Sequence, residues 1–204
     1  METYEHKNYD WYKAVQQKLT AKKTNRGEKI LSWVDIDGMK TVNSLIHCYA
    51  NKPKTIVCHG CRSGLEVDVL QRLNPSAKVW GTDIYGLAYK YDPKYFREMD
   101  FDTVPDEWKD YFDVVYSNSI DHSRDPIVTL LAWREELKKK GICFVNFHWG
   151  RGVSREDCFH LDPVNYMAEI HWIAERVGME VLYISSPRSF ADGASCADVI
   201  MGKA

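Results

Sequence analysis

The chain has 204 residues, 45% of them hydrophobic and 27% charged, with a formal net charge of -2 at pH 7. Such a length and composition fit one globular domain with a sizeable core, and the charge balance argues against a surface given over to nucleic-acid phosphates, leaving room only for a local basic patch. Every apolar run is far shorter than the roughly 20 residues of a spanning helix, and the polar, acidic start Met1-Glu2-Thr3-Tyr4-Glu5 is unlike a secretory signal, so a cytoplasmic location is expected.

Two helices are expected first, over residues 10–23 and 26–49, separated by the capping-type pair Thr24-Asn25. They form an N-terminal helical cover, residues 1–50, on a core of residues 51–204, the whole reading as one domain. From Thr55 short apolar runs alternate with helical patterns, the signature of an α/β chain with a mostly parallel sheet. Thr55-Ile56-Val57-Cys58 is a strand, followed by a glycine turn and a helix with Leu65, Val69 and Leu73 on one face. Asn74-Pro75 stops that helix. Lys78-Val79-Trp80-Gly81-Thr82-Asp83 is a strand ending in a carboxylate, and a weaker strand lies near residues 95–99. Phe112-Asp113-Val114-Val115-Tyr116-Ser117 is a clear strand.

Asp125-Pro126 then opens a helix, with Asp125 as N-cap. Ile127, Leu130, Leu131 and Leu137 supply its apolar face, and Lys138-Lys139-Lys140-Gly141 reads as its end, cations on the dipole and glycine beyond. Ile142-Cys143-Phe144-Val145-Asn146-Phe147 is a buried strand. Asp162-Pro163 begins a last helix with Met167, Ile170, Ala174 and Val177 at helical spacing, ending at Gly178. Strands over 180–184 and 197–201 close the chain as an antiparallel hairpin with a long loop, residues 185–195. Six cysteines lie in a chain this long without a secretion signal, which does not read as a disulfide framework.

The chemistry begins at His59-Gly60-Cys61-Arg62-Ser63-Gly64, between a strand and a helix. Glycines there allow a sharp turn and a close ligand approach, and the helix N-terminus offers free N–H groups. Asp83, at the end of the next strand and roughly 20 residues on, is placed to accept hydrogen bonds from a ribose diol. The loop lacks both the G-x-G-x-x-G of dinucleotide enzymes and the Lys-Ser/Thr ending of a P-loop, so a pyrophosphate or triphosphate is disfavoured. His122, His148 and His160 all fall after strands, on the carboxyl edge where a ligand sits, and histidine is the usual base near neutral pH.

With these motifs in order, residues 56–145 resemble the Rossmann-like core of class I S-adenosylmethionine-dependent methyltransferases. The resemblance implies a seven-stranded sheet, mostly parallel with the last strand antiparallel, and helices on both faces. It implies S-adenosylmethionine as cofactor, held by His59, Gly60, Cys61, Arg62 and Gly64 in the loop, Asp83 and Ile84 at the ribose, Asp100-Phe101 at the adenine, and Ser117 and Asn118 after the fourth core strand. Arg62 departs from the family's frequent Cys-Gly. The stretch Asn118-x-x-Asp121-His122 also resembles the Glu-x-x-Glu-His element of metal-assisted members, which would place Mg²⁺ or Mn²⁺ on Asp121 and His122.

No Asp/Asn-Pro-Pro-aromatic element follows Ser117, which disfavours base N-methylation. Ser117-Asn118-Ser119-Ile120-Asp121-His122 resembles small glycan-modifying and virus-encoded sugar O-methyltransferases. That implies a glycan or other small-molecule acceptor, with rhamnose a candidate, and the host cytoplasm as compartment if the source is viral. His122 or His148 is the expected base, assisted by Asp121; His160, Asp162, Tyr12 and Trp149 are candidate acceptor contacts. Of the aromatic group Trp11, Tyr12, Trp80, Tyr85, Tyr89 and Tyr91, most are expected in core or lid packing. Two other readings stand beside this one: a catalytically silent cofactor-binding partner subunit, and a thiol-disulfide oxidoreductase using Cys58 and Cys61. The oligomeric state is open, a homodimer being compatible.

Overall fold

The computed structural model describes residues 1–25, 34–85, 94–150, 152–190 and 193–203. In chain order the elements are β1 (Glu2–Thr3), α1 (Tyr9–Asn25), α2 (Ile36–Tyr49), β2 (Thr55–His59), α3 (Leu65–Leu73), β3 (Lys78–Asp83), β4 (Tyr95–Glu98), β5 (Phe112–Ser117), α4 (Pro126–Glu136), β6 (Leu137–Trp149), β7 (Phe159–His160), α5 (Tyr166–Val177), β8 (Met179–Ile184), β9 (Arg188–Ser189) and β10 (Ser195–Lys203). Single 3₁₀ turns cover Asp106–Trp108 and Ile120–His122. Among the described residues no helix is long and apolar enough to cross a membrane.

The main sheet runs β4-β3-β2-β5-β6-β10-β8, with the two-residue β9 added beside β10. Eight strands therefore replace the expected seven. The extra one pairs Ser189 with Ser195 and Arg188 with Cys196 inside what reads in sequence as loop. Strands β2 to β6 are parallel, while β10 is antiparallel to both β6 and β8. The chain steps outward from β2 through β3 to β4, then returns to the other side of β2 with β5. The carboxyl ends of β2 and β5 therefore flank a topological switch point, where ligands bind in open α/β sheets.

Each sheet face carries its own core. On one, Val57, Val115, Cys143, Val145 and Val199 pack with Leu130 and Trp133 of α4 and Ile170 and Ile173 of α5. On the other, Ile56, Val79, Val114, Phe144 and Ile200 pack with Met39, Val42 and Ile46 of α2 and Val67 and Leu70 of α3. Helix α2 is thus one of the sheet's layers. Helix α1 reaches the carboxyl edge instead: the Tyr12 hydroxyl donates to the His122 carbonyl (3.0 Å) and Gln16 to the Glu156 carbonyl (3.0 Å). A second, two-stranded sheet, β1 with β7, lies outside anything the sequence suggested.

Capping explains the helix starts. Asp35 accepts from Gly38 N–H (2.7 Å), so α2 begins at Ile36; residues 26–33 lie outside the described residues. Asp125 accepts from Ile127 and Val128 N–H ahead of Pro126, as expected. The lysine run does not end α4. The helix stops at Glu136, Leu137 already pairs with Phe112, and the register then shifts to join Val114 with Ile142. The last carbonyls of α4 are met not by lysines but by backbone: Asp110 N–H donates to Glu135 and Tyr111 N–H to Glu136. Leu137 is buried as a strand residue, and Leu131 is exposed because the inward face of α4 centres on Leu130 and Trp133. In α3 the buried side is Glu66, Val67, Val69 and Leu70, which leaves Leu73 exposed. In α5 Met167 is exposed and Ile173 takes its place inside, with Gly178 closing the helix at φ 65°.

Candidate active site

Beyond β2 the chain turns through Gly60, Arg62 and Gly64, all at positive φ (68°, 33° and 74°). A Cβ on Gly60 would stand 2.7 Å from Cβ of Ser119, so only glycine fits between β2 and the segment after β5. The loop is folded against β3: Cys61 N–H donates to the Thr82 carbonyl (3.0 Å) and Arg62 N–H to Oδ2 of Asp83 (2.8 Å). That second bond helps hold Arg62 in a conformation a side chain rarely adopts.

Beside the loop lies a cleft of about 430 Å³ lined by Tyr12, Gln16, Gly60, Arg62, Asp83, Ile84, Asp100, Phe101, Ser119 and His122. Asp83 is its buried carboxylate. Burial pushes its carboxyl above the usual range, and the N–H groups of Arg62 and Tyr85 pull it partly back. Oδ2 of Asp100 is buried with no hydrogen-bond partner. Next to it Asp102 is pushed up to about 6 by burial and then by Asp100, against the pull of Arg124. Phe101 is fixed from behind, its carbonyl accepting from Trp133 Nε1 (2.7 Å). The loop glycine, Asp83 and the Asp100-Phe101 pair, far apart in sequence, therefore share one cleft. Tyr12, expected as an acceptor contact, lines this cleft.

Through Arg62 and His122 this cleft adjoins a second, of about 630 Å³, lined by Arg62, Asp121, His122, His148, Trp149, Glu156, Asp157, His160, Phe190 and Ala194. Nδ1 of His122 donates to the Glu156 carbonyl (2.8 Å), which leaves Nε2 as the lone-pair nitrogen of the neutral ring. Nε2 of His148 and Nδ1 of His160 are buried without partners. Burial would raise the Asp121 carboxyl, but His122, His148 and His160 outweigh it and hold it below the usual range. Burial also lowers His160, with Asp121 and Asp157 opposing. Trp149 is stacked on Tyr166, ring centroids 4.6 Å apart. A third cleft, of about 550 Å³, shares His148 and Phe190 and adds Asp35, Asn118, Asn146, Arg188 and Cys196.

Several expected residues are turned elsewhere. The His59 ring lies in the core, Nδ1 against Thr82 Oγ1 and Nε2 against Glu136 Oε2 (both 2.8 Å), stacked on Trp133. It supports the loop from beneath and presents nothing to the cleft. Ser117 is also inward, its hydroxyl donating to the His59 carbonyl. Asn118 donates to Glu66 (3.1 Å), away from Asp121 and His122, so it does not complete the metal pattern its spacing suggested. Asp162 is half-buried and accepts from Val164 and Asn165 N–H in a turn ahead of α5. Cys58 and Cys61 are both buried and neither is in a disulfide, and burial drives Cys58 well above the usual thiol range, the reverse of what a redox nucleophile needs. Trp80 packs against Trp108 and Tyr95, while Tyr89 and Tyr91 lie outside the described residues. Ser119 lies inside the run after β5 but was not singled out, and Gln16, Glu156, Asp157 and Phe190 were not foreseen. The latter sit in segments without a motif and reach the clefts only through folding.

No protein-family model and no curated protein matches the chain. Its fold does match solved structures. The Burkholderia thailandensis 1,6-didemethyltoxoflavin-N1-methyltransferase, solved with 1,6-didemethyltoxoflavin and S-adenosylhomocysteine, aligns over 98% of this chain and 93% of its own at TM-score 0.73 and 12% identity. The cyclase SpnF aligns over 99% and 98% at TM-score 0.71 and 10% identity. A SAM-dependent methyltransferase from Methanosarcina mazei aligns over 78% and 96% at TM-score 0.59 and 14% identity. At these identities the likeness is one of fold alone, the α/β fold that these proteins share.

Proposed function

We propose that the chain binds S-adenosylmethionine and transfers its methyl group to a hydroxyl of a small molecule, in the first instance a sugar such as a deoxyhexose. The observation that carries this reading is one pair of adjoining clefts: one around Asp83 and the Gly60 loop, opening through Arg62 and His122 onto one ringed by histidines. Asp83 would accept from the ribose diol, Asp100 and Phe101 would flank the adenine, and the loop would carry the methionine end. In the reaction the hydroxyl proton passes to Nε2 of His122 or of His148. The freed oxygen pair forms the new C–O bond, and the breaking S–C bond returns its pair to sulfur, leaving S-adenosylhomocysteine. Alignment and a nearby base are what such a displacement needs from the protein.

S-adenosylhomocysteine should raise the melting temperature, whereas NAD and ATP should not, because only a ligand of the native state stabilises it. No shift with the adenosyl ligand would remove the cofactor reading. With the cofactor established, a panel of sugars, phenols and amines tests the acceptor; methyl product on amines alone would overturn the hydroxyl assignment. Amines belong in the panel because the toxoflavin-precursor enzyme is by name an N1-methyltransferase. A second reading is a cofactor-binding protein that transfers no methyl group, favoured by the likeness to a protein named as a cyclase. Tight S-adenosylhomocysteine binding without turnover on any acceptor would support it.

A further inference from the structure

In the histidine-ringed cleft the methyl-transfer reading leaves Asp121, Asp157 and His160 without a task. One carboxylate oxygen each of Asp121 and Asp157 and a ring nitrogen of His122 lie within 4.8 Å of one another. Around them Oδ1 of Asp121, Nε2 of His148 and Nδ1 of His160 are all buried with no hydrogen-bond partner, and His160 is only 4% exposed. Buried polar atoms are nearly always satisfied, so several orphans lining one cleft indicate a missing partner. A proton could answer one imidazole, but the electron pairs converge from carboxylate and imidazole together.

We infer that Asp121, His122 and Asp157 form a divalent metal site, with Nδ1 of His160 as a further nitrogen donor facing the same cleft. The ligand set is this chain's own. Asp157 comes from the loop after β6, which no motif marks, while Asn118 is turned to Glu66 and takes no part. His122 is already oriented by the Glu156 carbonyl, the type of outer contact that fixes the tautomer of a metal-binding histidine. Mixed carboxylate and imidazole donors suit Mn²⁺, Fe²⁺ or Zn²⁺ better than Mg²⁺, which prefers an all-oxygen shell. Resting on the methyl-transfer reading, the ion would hold the acceptor oxygen beside the cofactor cleft and favour its deprotonation. His148 would then take the proton, since His122 is engaged.

The test separates the two readings. The full-length chain, stripped with EDTA, is titrated with Mn²⁺ by electron paramagnetic resonance, and with Mg²⁺ and Zn²⁺ by calorimetry; S-adenosylhomocysteine binding is measured in parallel. One Mn²⁺ per chain is expected, bound more tightly than Mg²⁺ and at least tenfold more weakly by Asp157→Asn. That variant changes a loop residue and should keep the wild-type melting temperature and S-adenosylhomocysteine affinity. Absence of a stoichiometric site for any of the three ions, or unchanged binding in Asp157→Asn, overturns the proposal. Metal binding without S-adenosylhomocysteine binding would leave the site standing and remove only its link to methyl transfer.

Discussion

Position 60 needs glycine for two separate reasons: its φ of 68° disfavours a side chain, and Ser119 leaves no room for one. Gly60→Ala should therefore cost about 1–3 kcal/mol of stability, the usual penalty for backbone strain, and weaken S-adenosylhomocysteine binding, read by chemical denaturation and calorimetry. A wild-type value for both would mean that the loop relaxes freely. Asp83 works in the opposite sense to a stabilising residue. Its folded pKa is raised, so its contribution to stability is present below the ordinary carboxylate range and is lost as pH rises through the folded value. Ionising this buried carboxylate costs stability, an expense that suits an acceptor for a ribose diol. Affinity for S-adenosylhomocysteine should fall on acidification at a higher pH than an exposed aspartate would give, and Asp83→Asn should remove that pH dependence while lowering affinity at least tenfold, about 1.4 kcal/mol.

At the scale of elements, the His59–Glu136 pair joins β2 to α4, with Thr82 bringing in β3. Both side chains are fully buried. Removing one partner from such a pair leaves the other unmatched in the core, which costs about 3–5 kcal/mol. His59→Ala should show that loss in urea unfolding, and pairing it with Glu136→Leu should restore much of it. A loss below about 1 kcal/mol for the single variant would show that the core readily hydrates Glu136. The same helix shows how local signals mislead. Lys138-Lys139-Lys140-Gly141 carries every mark of a helix end, yet the capping is done by Asp110 and Tyr111, and the run is drawn into the irregular start of β6.

For the whole molecule, the closing strand matters most. β10 is bonded on both sides, to β6 and β8, and its residues Cys196 to Met201 are buried between the two helix layers. Deleting residues 195–204 should abolish the cooperative unfolding transition seen by circular dichroism, because two edges would open at once. A deletion variant that still melts cooperatively would place the folding core in β2 to β6 alone. The helix layers also set where the clefts can be. α2 and α3 close one face and α4 and α5 the other, and the cleft around Asp83 lies at the carboxyl edge beside the β2–β5 switch.

The parallel strands, their order of appearance, the glycine loop and the Asp83 position could all be read from the residues, because apolar runs, caps and turn residues are local signals. Tertiary structure alone decided which side chains face the clefts. His59 and Ser117 turn inward because β-strand alternation and the Glu136 and His59-carbonyl bonds direct them there. Asn118 turns to Glu66 on a helix that lies about fifty residues earlier in the chain. Asp157 arrives beside Asp121 and His122 only because the loop after β6 folds back over the carboxyl edge. Spacing along a chain carries no information about such returns; packing and hydrogen bonding between distant segments supply it.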